Sequence, residues 1–142
     1  MSEADLVYQI MPATAAERER LAALPVFSMS AQSLGRKVAR GDVLLAKVGE
    51  EIIGLLIAEL YGFFDENVVS LIIVDEQKRR RGIGTALVEE AEKLFGKGKL
   101  FMATNDSNAP MCSLCDKMGY VKVCQIDVPG EDDPEIVYLK RL

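Results

Sequence analysis

The residues of this chain that could do chemistry crowd into two short stretches. In the first, residues 74–86 read VDEQKRRRGIGTA, with Lys78, Arg79, Arg80 and Arg81 directly ahead of Gly82-Ile83-Gly84. Four cations before a Gly-x-Gly describe an anion site, because the side chains supply charge and the glycines admit a ligand to the backbone. The run follows a β-branched stretch, NVVSLIIV (67–74), and opens an amphipathic one in which Ile83, Leu87, Ala91, Leu94 and Phe95 share a helical face. Free N–H groups and the positive end of that helix would then point at the same spot as the arginines, which suits a phosphate. A solvated loop is the plain alternative. Two familiar phosphate loops fail on spacing: Gly84 is followed by Thr85-Ala86 rather than Lys-Ser/Thr, and Leu87 stands where a dinucleotide fingerprint needs a third small residue.

The second stretch is NAPMCSLCDKMGY (108–120). Its Cys112-x-x-Cys115 spacing would suit a redox or metal pair, but no second pair and no histidine completes a metal set. The absence of histidine also removes Ser-His and Cys-His nucleophile pairs, and no metal is expected. Three cysteines, Cys112, Cys115 and Cys124, make an odd count that argues against structural disulfides.

The elements that must position these residues read off the rest of the chain. A length of 142 residues with 49% hydrophobic and 27% charged side chains fits one domain, 1–142, with a proper core. The net charge of −5 makes the cationic run a local feature and argues against a nucleic-acid partner. The N-terminus carries acids where a signal peptide would be basic, and the longest apolar runs are too short to span a bilayer. A cytoplasmic location with no membrane partner is expected. A first strand lies within 6–14, and a short helix over 15–24 is broken by Pro25. A second helix, capped by Ser28 or Ser30, runs to Arg40 and Gly41. Strands follow at 43–48, 52–64 and 67–74, the last central and buried on both faces. A helix from Gly82, a strand at 100–104, a helix capped by Ser107 or Asn108 with Pro110 in its first turn, and two terminal strands complete a β-α-α-β-β-β-α-β-α-β-β order.

Together the two stretches resemble a known family. Arg79-Arg80-Arg81-Gly82-Ile83-Gly84 resembles the Arg/Gln-x-x-Gly-x-Gly loop of the GNAT N-acetyltransferase superfamily, and Val74 stands where that family has a valine at the end of the preceding strand. Residues 108–120 resemble its Asn-x-x-Ala-x-x-Phe-Tyr-Glu-Lys-x-Gly-Phe segment, with Asn108, Leu114, Asp116, Lys117, Gly119 and Tyr120 in register. The resemblance implies an α/β fold with a mixed, mostly antiparallel central sheet flanked by about four helices. It also implies acetyl-CoA as acyl donor and N-acetyl transfer to an amine by direct attack in a ternary complex.

Carried over by residue, it places the pantetheine arm between strand 67–74 and strand 100–104, against Ile72 and Val74. The Ile72 N–H would polarise the thioester carbonyl. The pyrophosphate would lie on Arg79, Arg80, Arg81, Gly82, Ile83, Gly84 and Thr85, with Asn108 and Lys117 as further contacts. The family's usual glutamate base falls at Val68, which leaves Ser70 on the same face and Glu59, Asp65 and Glu66 nearby as candidates, Glu59 first. The family's tyrosine acid falls at Cys115. That thiol could serve as the acid, Ser113 or water could replace it, the thiolate could leave without help, or Cys115 could simply be core. The acidic loop Glu131-Asp132-Asp133 favours a cationic acceptor, and a homodimer through the terminal strands is an analogy from the family. Val68 and Cys115 leave an alternative open: an acyl-CoA-binding sensor or partner module without catalysis. A nucleotide-binding regulator is a third reading.

Overall fold

The computed structural model describes residues 6–23, 31–79 and 81–142, apart from the side chains of residues 22, 31 and 33. Pro25, Ser28, Ser30 and Arg80 therefore lie outside the described residues. The order of elements is β1 (Gln9–Pro12), α1 (Arg18–Ala22), α2 (Ala31–Ala39), β2 (Val43–Val48), β3 (Glu51–Phe63), β4 (Glu66–Val74), α3 (Ile83–Phe95), β5 (Lys99–Asn105), α4 (Ala109–Lys117), β6 (Val121–Ile126) and β7 (Glu135–Arg141). This is the order read from the sequence. The strands form one seven-stranded sheet in the order β1-β2-β3-β4-β5-β7-β6. Only the β4–β5 pair is parallel.

The first strand, Gln9–Pro12, lies within 6–14 as expected, its extent set by the partners that β2 offers. Burial departs from expectation in two elements, α3 and β4. On α3 the buried face is Ile83, Leu87, Val88, Ala91 and Phe95, whereas Leu94 is 46% exposed at the edge of the contact. Strand β4 is central but not buried on both faces: Val68 and Val69 are buried, Leu71 to Val74 are half-buried, and Ser70 is exposed.

The cause is a parting of the sheet. β4 and β5 share two register positions, Val68 opposite Phe101 and Val69 opposite Met102. β4 then follows β3 as far as Val74 opposite Gly54, while β5 follows β7 to Asn105 opposite Glu135. A bulge marks the divergence, since Ile57 faces Leu71 and Ala58 faces Val69, which makes Ser70 the extra residue. Such a bulge bends its strand and interrupts the ladder.

Packing then fixes the helices. Leu44, Leu56, Val69, Leu87, Leu100 and Met102 belong to a core beneath α3 and α4, and Leu34, Val38, Leu45, Leu55 and Ile57 to one beneath α1 and α2. Each large side chain buried here stabilises by roughly 1.5–3 kcal/mol before entropy is counted. Gly54 sets how closely α3 rests on β3: a Cβ there would lie 3.2 Å from Ile83 Cγ2 and 3.3 Å from the Ile73 carbonyl. The start of α3 is thereby held beside the end of β4.

Candidate functional site

Where β4 ends, the chain turns through a single 3-10 turn, Glu76–Lys78. Asp75 makes that turn: its carboxylate accepts the Gln77 N–H at 2.9 Å and its carbonyl accepts the Lys78 N–H at 2.8 Å. Arg79 Nε then donates to the Val74 carbonyl at 3.2 Å, tying the loop back to the strand. Gly82 follows as the N-cap of α3 with φ 77°, a left-handed conformation that favours glycine. It brings no side-chain cap, so the Ile83, Gly84 and Thr85 N–H groups have no intrahelical acceptor. Among the described residues a Cβ on Gly82 would meet nothing within 4 Å and one on Gly84 only Leu114 Cδ2 at 3.5 Å, which leaves the space over them open to that extent. Those N–H groups and the helix dipole, with Arg79 and Arg81 close by in the chain, are an arrangement that could receive an anion. Lys117 is exposed one turn beyond Leu114, the α4 residue nearest to Gly84.

A cleft of about 360 Å³ occupies the gap between β4 and β5. Val68, Ser70 and Ile72 line it from β4, Thr104 and Asn105 from β5, and Asn108 and Met111 from the start of α4. Asn108 also caps α4, accepting the Met111 N–H at 3.2 Å. Beyond Val69 the β5-facing edge of β4 has no strand partner, so an extended ligand could lie along it as an added strand. The Ser70 hydroxyl, made accessible by the bulge, donates a long 3.4 Å bond to the Ile57 carbonyl. The far wall is formed by Gly62 and Phe63 of the β3–β4 hairpin, Ile126 of β6, and Glu135 and Val137 of β7.

Two of the residues singled out from sequence lie elsewhere. Cys115 is fully buried among Met111, Tyr120 and Tyr138, and does not line the cleft. Burial, reinforced by Cys112 and Asp116, pushes its thiol up to about 12. A free thiol sits near 8.5, so a proton would pass from Cys115 to a leaving thiolate only uphill. Glu59 forms an ion pair with Lys37 of α2 and is likewise not part of the cleft lining. Of the acidic loop, Asp133 is engaged by the Ser107 N–H and hydroxyl. Among the described residues the acidic residue that lines the cleft is Glu135, which was not among the candidates read from sequence. Alternation along β7 puts Glu135, Val137 and Leu139 on one face, but only the pairing of β7 with β5 shows that this face lines the gap. No group of His, Cys, Asp and Glu suited to a metal occurs among the described residues.

Residues 8–120 match the acetyltransferase (GNAT) family. The chain belongs to that family. Over 84 residues it is 31% identical to N-alpha-acetyltransferase 30 of Xenopus laevis, covering 55% of this chain and 31% of the relative. It thus spans about a third or less of the curated relatives it matches. A GNAT-family acetyltransferase from Bacillus cereus superimposes with a TM-score of 0.83 at 24% identity, over 95% of this chain and 97% of the other. Arabidopsis thaliana NAA60 in complex with acetyl-CoA gives 0.79 at 19% identity, over 96% and 100%. At such identities the structural likeness bears on the fold, and the GNAT fold expected from the two sequence stretches is the one found. GNAT proteins move an acetyl group from acetyl-CoA to an amine.

Proposed function

We propose that this GNAT chain, as one domain over 1–142, transfers an acetyl group from acetyl-CoA to an amine by direct attack. The observation that carries the reading is the parting of β4 from β5 directly beside an uncapped helix N-terminus. One end of the site can take a pyrophosphate and the other an acyl thioester.

In this reading the pyrophosphate lies on the N–H groups of Ile83, Gly84 and Thr85, with Arg79, Arg80 and Arg81 supplying charge and Gly82 keeping the approach clear. Asn108 and Lys117 flank the donor from α4. The pantetheine arm runs along Ile72 and Val74, and the Ile72 N–H stabilises the oxyanion that forms when the thioester is attacked. Ser70 presents its hydroxyl inside the cleft, where the acceptor enters. The buried Cys115 supports departure of the CoA thiolate without a protein acid, and the Lys37 pair supports a structural role for Glu59. Glu131 and Asp132 favour a cationic acceptor at the mouth. Exposed Val121 and Val123 on the edge strand β6 are what a homodimer through the terminal strands would cover. Three free thiols suit a reducing compartment such as the cytoplasm. No helix among the described residues is long and apolar enough to cross a membrane.

The test is thermal unfolding with acetyl-CoA, CoA, ATP and NAD in parallel. A ligand at a hundred times its Kd adds about 2.7 kcal/mol, or roughly 5–15 °C here. A shift with acetyl-CoA and CoA but not with ATP or NAD is expected. No shift with either CoA species would sink the reading. A shift without amine-dependent CoA release would favour the acyl-CoA sensor that Val68 and Cys115 leave open.

A further inference from the structure

Among the described residues, Glu135 is the one ionisable side chain that lines the cleft. Backbone pairing places it there: it opens β7 between Asn105 of β5 and Ile126 of β6. No described residue pairs with its carboxylate, whereas nearby Asp133 is held by Ser107 and Glu66 by Lys99 at 3.2 Å. Phe63, Val68, Ile126 and Val137 give the cleft an apolar wall, and its other polar side chains, Ser70, Thr104, Asn105 and Asn108, are uncharged. A carboxylate with no ion-pair partner, in a cleft whose described lining holds no cation, is complemented by a cationic ligand, and the apolar wall leaves that cation an apolar body.

We propose that Glu135 binds the ammonium group of the acceptor and takes its proton during acyl transfer, and that the acceptor is a primary amine carried on an apolar body. The proposal rests on the acetyl-CoA reading of the same cleft. The bound ammonium first releases one proton to solvent. Its nitrogen lone pair attacks the thioester carbon, the C–N bond forms, and the carbonyl π electrons move to oxygen. A second proton passes from nitrogen to the Glu135 carboxylate. The oxyanion electrons then re-form the carbonyl, the C–S bond breaks, and the thiolate leaves and is protonated by water. Glu135 returns its proton to solvent. The net products are the amide, CoA and one proton.

The experiment uses Glu135→Gln, which keeps the shape and removes the charge, with phenethylamine and the uncharged phenethyl alcohol as probes. Calorimetry on the CoA-loaded protein should show wild type preferring the amine by about tenfold or more, and Glu135→Gln showing no preference. In steady state, kcat/KM for phenethylamine should fall roughly 10²–10³-fold, with KM for acetyl-CoA unchanged. Glu135→Asp should recover part of the loss. A Glu135→Gln variant that keeps the preference for the amine overturns the proposal, as does a wild type with none, and the binding arm decides alone where turnover of this amine is slow. Failure of wild type to bind acetyl-CoA is a separate result, which would remove the donor reading instead.

Discussion

Gly82 and Gly84 stand two residues apart, yet replacing each by alanine should move stability in opposite directions while weakening the same ligand. At Gly82 φ is 77°, so a Cβ imposes about 1–2 kcal/mol of left-handed strain even though it meets no described residue within 4 Å. For a domain of this size that lowers Tm by about 3–7 °C. Gly84 lies inside the first turn of α3 with no such strain, and a Cβ there would meet only Leu114 Cδ2 at an ordinary 3.5 Å. Alanine exceeds glycine by up to about 1 kcal/mol in a helix interior, and less in a first turn, so Gly84→Ala should raise Tm by about 2 °C. In the proposed site the new methyl of either variant would stand where the pyrophosphate approaches the Ile83, Gly84 and Thr85 N–H groups. Losing one charge-assisted hydrogen bond, worth about 1.5–3 kcal/mol, raises the acetyl-CoA Kd by about 10–100-fold. Apo thermal unfolding gives the first quantity and calorimetry with acetyl-CoA the second. A Gly84→Ala protein that binds acetyl-CoA within about threefold of wild type would refute the backbone cradle. A loss of affinity only in the destabilised Gly82→Ala would trace the effect to folding.

Two further outcomes follow from buried groups. Cys115→Ala should lower stability by about 1 kcal/mol through the small cavity it leaves, with kcat within about threefold of wild type; a fall of about a hundredfold or more would restore Cys115 as the acid. Asp42 is 1% exposed, with both carboxylate oxygens lacking a hydrogen bond and Arg40 Nε 3.5 Å away, and burial raises its pKa above 3.8 against the pull of Arg40 and Lys37. The folded state therefore holds the Asp42 proton more tightly than the unfolded chain does, so stability is lost as pH rises from about 3.8 through the folded value. Asp42→Asn should raise Tm at neutral pH, with the gain shrinking as pH falls toward 4; a gain that does not vary with pH would show that charge burial is not its source.

The residues that name the family are local, and so were legible. Arg79 to Gly84 must be contiguous to serve one helix N-terminus, and residues 108–120 combine a cap, a helix and a stop within thirteen positions. Period and punctuation likewise gave the element order, since alternation, caps and glycines act over a few residues. What the tertiary structure alone decided depends on partners far apart in the chain. The bulge at Ser70 and the parting after Val69 arise from the competing registers of β4 with β3 and of β5 with β7. That parting opened a strand that reads as buried on both faces. Helical spacing put Cys115 on the inner face of α4, but only packing shows it fully buried in the same core as Tyr120 and Tyr138 and absent from the cleft lining. Glu135 reads in sequence as one acid beside an acidic loop, and the pairing of β7 between β5 and β6 turns it into the cleft.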